Sequence, residues 1–303
     1  PVTRAALVSR MRTAGASAPV PPPLAQPLLS TAEIDALTHV LVVEDDELNR
    51  FIVSGMLRHA GHRVSVAANG EQALRQLREL ERVDLVLMDW QMPDMDGLEV
   101  TRRMRAGVAG PAGPDVPIVA LTANAFAEDR DACLAAGMND FLTKPVLATG
   151  LLAAVARWTR ERPVATRTRH AADEAAGAAA QAPVFDPAVL AALPMVADGS
   201  APHYGTELCG MFLDGRDTTV QAVRDALAAP DLKALQRAVH SLKSSAAAIG
   251  ALELSALAAR HEARLRAGAP PDDTLPTRLV EAYARLARRL QTAPAPAPVG
   301  DTA

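Results

Sequence analysis

Aromatic residues are scarce in this 303-residue chain, with two Trp, two Tyr and five Phe. Any core must therefore be built mainly from Ala, Leu and Val, a mixture that leans towards helices. Cysteine is nearly absent: Cys133 and Cys209 are too few for a disulfide framework or a cysteine-rich zinc site. There is no basic excess, since 31 Lys+Arg face 35 Asp+Glu for a net charge of −4. The electrostatic footprint of a nucleic-acid binder is missing. No apolar run reaches the roughly 18–20 residues of a membrane span, and no signal peptide is visible. A soluble, cytoplasmic protein without membrane contact is expected. Its first residue is Pro1 rather than Met, which favours a fragment of something longer.

What is present divides the chain. Residues 1–38 contain six prolines and little periodicity, and read as a linker. Eight of the thirteen residues 171–183 are Ala, so 161–184 reads as an Ala-rich linker, and 292–303 as a Pro-Ala tail. Two compact blocks remain, 39–160 and 185–291. In the first, VLVV (40–43), RVSVA (63–67), DLVLMD (84–89), PIVALT (117–122) and FLTK (141–144) alternate with stretches of helical spacing. Short runs rich in Val, Leu and Ile suit strands buried on both faces. Five strands and five helices in strict alternation predict a doubly wound α/β domain with a parallel five-stranded sheet. Its ligand site should lie beyond the carboxyl ends of the strands.

Those ends carry Glu44-Asp45-Asp46 on strand one, Asp89 on strand three, Thr122 on strand four and Lys144 on strand five. Carboxylates brought together repel unless a cation sits among them, and hard oxygen donors select Mg²⁺. A lysine opposite would complete a charge clamp on a transferring phosphoryl group. Asp46 reads more simply as a helix N-cap, and Thr122 alone could also be one. Four features in order on successive strands outweigh those separate readings.

The strings LVVEDD, LVLMDWQMPDMDG, ALTA and FLTKP resemble the receiver domain of bacterial response regulators and hybrid sensor kinases, across 40–160. That resemblance implies a flavodoxin-like fold with Asp89 as phospho-acceptor and Asp45 as direct Mg²⁺ ligand. Glu44, where the family more often has Asp, would act through water, and the Gln91 backbone carbonyl would be the third protein ligand. Thr122 would hydrogen-bond the phosphoryl group and Lys144 would pair with it. Phe141 falls at the family's aromatic switch position, and the Lys144–Pro145 peptide is similar to one usually cis. The stretch 109–117, with three prolines, reads as an insertion in a surface loop.

The second block has no strand-like run. Its spacing predicts helices near 186–193, 203–228, 231–250, 252–267 and 275–291, packed as an antiparallel bundle. Leu232, Leu235, Val239, Leu242, Ala246 and Ile249 form a buried stripe on the third. His240 falls beside it among Gln236, Arg237, Lys243 and Ser244, expected to be a solvent-accessible partner face. His59, His62, His203 and His261 are read as ordinary histidines. The string HSLKSSAAAIGA resembles the histidine phosphotransfer (HPt) signature, with Ser244 where the family often has Gly. A neutral imidazole is a nucleophile near pH 7, so His240 would be the second phospho-acceptor, with Lys243 steadying the phosphoryl charge.

Together the blocks read as a phosphorelay module from the C-terminal part of a hybrid histidine kinase. Phosphate would pass from an upstream histidine kinase core to Asp89, to His240, and on to a downstream response regulator receiver. No ATP-binding kinase core is visible within these residues. Two other readings stay open: a freestanding relay protein, and a binding module in which phosphorylation of Asp89 switches the surface near Phe141.

Overall fold

The computed structural model describes residues 38–110, 113–123, 127–159 and 182–292. The expected linkers and tail fall, but for their inner edges, outside the described residues. The first block runs β1 (His39–Val43), α1 (Glu47–His59), β2 (Arg63–Ala67), α2 (Gly70–Glu79), β3 (Leu85–Asp89), α3 (Gly97–Arg105), β4 (Ile118–Thr122), α4 (Ala127–Ala136), β5 (Asp140–Thr143) and α5 (Ala148–Thr159). All pairings are parallel, in the order β2-β1-β3-β4-β5. Strand order reverses at β1 and β3, which opens a crevice at their carboxyl ends.

Alternation along the strands feeds two cores. Val40, Val42, Leu85, Leu87, Val119 and Leu121 point towards α1 and α5. Leu41, Val43, Val86, Met88, Ile118 and Ala120 point towards α2 and α3. The central strands β1, β3 and β4 are buried throughout, as expected. Edge strands β2 and β5 are not, because each has only one neighbour. Asp46 caps α1, its Oδ1 accepting from Asn49 N at 2.9 Å.

The described residues of the 109–117 stretch, 109–110 and 113–117, are held more closely than a surface insertion requires. Ala109 and Val116 are buried. The Arg105 guanidinium donates from Nη1 to the carbonyls of Gly113, Pro114 and Val116 at 3.2, 3.0 and 2.9 Å. Its Nε reaches the Gly137 carbonyl and its Nη2 reaches Asn139 Oδ1, both at 2.9 Å. One side chain thus fastens the loop to the connection ahead of β5.

The second block is all helix: α6 (Pro187–Ala191), α7 (Pro194–Ala197), α8 (Tyr204–Asp214), α9 (Arg216–Ala228), α10 (Leu232–Ala248), α11 (Leu252–Arg266) and α12 (Leu275–Thr292). The continuous helix expected over 203–228 is broken at Gly215, which ends α8 and starts α9. Leu235, Val239, Leu242, Ala246 and Ile249 are buried as expected, but Leu232 is 50 % exposed. As the first residue of α10 it lies before the bundle closes around the stripe. Among the described residues no helix is long and apolar enough to cross a membrane.

Candidate functional site

Three carboxylates converge at the carboxyl ends of β1 and β3. Ligand oxygens of Glu44, Asp45 and Asp89 all lie within 4.8 Å of one another. Glu44 and Asp89 are 1 % and 3 % exposed. Lys144, from the loop after β5, sets Nζ 2.8 Å from Asp89 Oδ2 and 2.7 Å from Glu44 Oε2. The Lys144–Pro145 peptide is cis, and Lys144 N donates to the Thr122 carbonyl at 2.7 Å, tying that loop to β4. Gly97 begins α3 hard against the end of β3. A Cβ there would strike the Asp89 carbonyl, so the close approach needs glycine.

The charges do not balance. Burial, then the neighbouring Asp89, push the Glu44 carboxyl up to about 8, against the pull of Lys144. Burial and Glu44 push Asp45 up to about 6. Asp89 is also raised, chiefly by burial, with Lys144 opposing. Burial disfavours the Lys144 ammonium, yet Glu44 and Asp89 outweigh it and hold the amine above its ordinary value. Three carboxylates therefore share one ammonium, and buried Glu44 Oε2 makes no well-formed hydrogen bond. The donor set is all hard oxygen and carries surplus negative charge, which is what a divalent cation fits.

His240 is buried, not solvent-accessible as its polar neighbours suggest; it is 8 % exposed. Glu262 on α11 bonds to its ring, and residues of the first block line the cleft it faces. His240 Nδ1 is 2.8 Å from Glu262 Oε1, while Lys243 Nζ and Arg266 Nη2 donate to the same carboxylate at 2.6 and 2.9 Å. Burial opposes ionisation of Glu262, but the bonds from His240 and Lys243 win and pull it down to about 2. An ionised carboxylate can only accept, so the bond to Glu262 places a proton on Nδ1; in the neutral form of the ring the lone pair is then on Nε2. Lys243 is engaged by Glu262 and does not stand free on the surface.

One small cleft joins the two centres. Glu44, Asp45, Asp89, Gln91 and Lys144 wall it on one side, and Arg237, His240 and Ser244 on the other. The Ser244 hydroxyl is buried there without a hydrogen bond. Of the residues singled out in the sequence, Gln236, Lys243, Thr122 and Phe141 lie outside these walls. Thr122 is buried at the end of β4. Phe141 sits half-buried on β5 with the Arg130 guanidinium 5.9 Å from its ring centre.

Residues 40–156 match the model of the response regulator receiver domain, and residues 207–291 that of the Hpt domain. The two-component response regulator ORR41 of Oryza sativa subsp. japonica is 44 % identical over 114 residues, covering 36 % of this chain and 85 % of that protein. The chain belongs to the response regulator receiver family. Its receiver is followed by an Hpt domain, an order that belongs to phosphorelay in two-component systems. The sensor protein GacS of Pseudomonas syringae pv. syringae is 34 % identical over 250 residues, which is 82 % of this chain and 27 % of that protein. The sensory/regulatory protein RpfC of Xanthomonas campestris pv. campestris is 31 % identical over 219 residues, 71 % of this chain and 29 % of that one. The chain thus spans about a quarter of the length of these sensor proteins.

Glu262 escaped the sequence reading. It lies 22 residues from His240 on another helix, and no local pattern links the two. Its only trace was an acidic residue four before Arg266 on a helix with a buried face. Asn49, which donates to Glu44 Oε1 at 3.3 Å, was likewise passed over as a plain helix residue.

Proposed function

We propose that this chain moves a phosphoryl group between Asp89 of the receiver and His240 of its own Hpt domain. It would accept the group from an upstream histidine kinase core and deliver it to the receiver of a separate response regulator, in the cytoplasm. The receiver would occupy 39–160 and the Hpt bundle 185–291. The observation that carries this reading is the shared cleft, in which Asp89, Lys144, His240 and Ser244 face the same space.

Asp45 and Asp89 would hold Mg²⁺ directly, with the Gln91 backbone carbonyl and, through water, Glu44. When bound, the cation supplies positive charge to the phosphoryl oxygens. Lys144 pairs with one of those oxygens, and Thr122 would donate to another once it turns inward. His240 Nε2 attacks phosphorus in line. An N–P bond forms as the Asp89 O–P bond breaks, and the electron pair returns to the Asp89 carboxylate. The proton on Nδ1 stays in its bond to Glu262, whose negative charge offsets the cationic phosphorylated ring. Ser244 has a spare donor for the transferring group, and Lys243 acts through Glu262.

Acyl phosphates are labile to base and phosphohistidine to acid, so the products can be separated by stability after denaturation. Wild-type chain charged by a cognate kinase should carry a base-stable, acid-labile fraction. His240→Gln should keep the acyl phosphate and lose that fraction, and Asp89→Asn should lose both. Phosphohistidine arising in Asp89→Asn from the kinase alone would overturn the order of transfer.

A further inference from the structure

α1 lies between the sheet and the Hpt domain, and touches α7, α8 and α10. Its inner face supplies core residues such as Ile52 and Met56. On another face Phe51, Gly55 and His59 recur at i, i+4 and i+8, one stripe of the helix. Glycine inside a helix costs about 1 kcal/mol relative to Ala. The three atoms nearest to a Cβ built at Gly55 all belong to Tyr204 of the Hpt domain, its hydroxyl and ring carbon Cζ (2.9 Å) among them. The Tyr204 ring stacks on Phe51 with centroids 5.3 Å apart, and its hydroxyl donates to the Phe51 carbonyl at 3.0 Å. At one end of the stripe His59 Nε2 meets Asp198 Oδ2 at 2.9 Å. At the other, Ser241 Oγ donates to Asp46 Oδ2 at 2.8 Å, from the residue next to His240. The apolar core runs on without interruption from the sheet into the bundle.

We infer that this stripe is a lock whose occupant is the chain's own Hpt domain, seated by Tyr204 in the space left open at Gly55. The inference rests on the relay proposed above and adds its traffic rule. Transfer from Asp89 to His240 is intrachain, and a second receiver gains His240 only when the lock opens, because the cleft that His240 faces is already walled by the chain's own receiver residues. Tyr204 is the anchor, combining ring area with a hydrogen bond. The His59–Asp198 pair, with side chains 28 % and 51 % exposed, lies at the solvated rim and adds little.

Gly55→Ala tests it in the full chain. Alanine favours the helix, so the receiver should keep its circular dichroism. The new methyl group meets Tyr204, and X-ray scattering should show a larger radius of gyration than wild type. Transfer is then followed after loading Asp89 with acetyl phosphate. In wild type the Asp89-to-His240 rate should be independent of protein concentration. Mixing a His240→Gln copy loaded on Asp89 with an Asp89→Asn copy should give little transfer between molecules. With Gly55→Ala in both copies, intrachain transfer should slow and exchange between copies should rise, each at least tenfold. Exchange between copies as fast as intrachain transfer with the lock intact would overturn the inference. So would an unchanged radius and unchanged rates in Gly55→Ala. A compact wild type and an expanded variant in which His240 never takes phosphate would instead refute the relay and leave the docking standing.

Discussion

Replacing Glu262 with Gln keeps the shape of the side chain and removes the one charge shared by His240, Lys243 and Arg266. The folded carboxyl sits at about 2 against an ordinary 4.5. That gap corresponds to about 3 kcal/mol of stabilisation near neutral pH. Because the folded value is the lower one, the contribution is complete above roughly pH 4.5 and drains away as pH falls towards 2. About 2 kcal/mol of it should be gone by pH 3. Amide hydrogen exchange in α10 and α11 reads this locally: protection in wild type should weaken by that amount between pH 6 and pH 3. The variant should start weaker at pH 6 and change little over the same interval. A second signal separates charge from packing. In wild type, ¹⁵N shifts of the His240 ring should report a proton fixed on Nδ1. In the variant the amide can turn its NH₂ towards the ring, and the two tautomers should mix. An equal pH slope in both proteins, with an unchanged ring spectrum, would refute the assignment of Glu262 as the group that orients the nucleophile.

Asp45→Asn should act in two directions at once. Asp45 is raised from 3.8 to about 6, so its ionisation penalises the metal-free fold increasingly between those two values, and the variant should be more stable at pH 7 by about 3 kcal/mol. Titration calorimetry should show Mg²⁺ affinity reduced at least tenfold; unchanged affinity would remove Asp45 from the metal site. Arg105→Ala should cost the receiver about 2–3 kcal/mol by releasing the carbonyls it fastens, read as a lower unfolding midpoint. No loss would mean that the loop holds itself.

The receiver was legible because its signals are local and ordered. Each strand is a short apolar run, and a parallel sheet brings successive carboxyl ends to one edge, so Glu44, Asp45, Asp89 and Lys144 had to meet there. The cap at Asp46 was legible for the same reason, since it bonds only three residues ahead. The Hpt half shows where such reasoning stops. His240 has polar neighbours along its own helix, yet it is buried, with Glu262 of α11 on its ring and receiver residues across the cleft it faces. His59 was read as ordinary, and its partner Asp198 lies beyond the long stretch that joins the domains. The break at Gly215 was missed because apolar spacing carries on through it, so only the hydrogen-bond pattern marks the junction.

The few aromatic side chains are divided unevenly, and that division has an optical consequence. Both indoles, Trp90 and Trp158, lie in the first block, and both phenols, Tyr204 and Tyr283, in the helical second block. Excited at the tyrosine band, the bundle is the donor and the receiver the acceptor of resonance energy, with no dye attached. Tyr204 lies on Phe51 of the receiver itself, while Tyr283 lies inside the bundle beside Phe212. Tryptophan emission sensitised by tyrosine should therefore track the distance between the two halves, and a stopped-flow trace of it would time each release of the bundle during turnover.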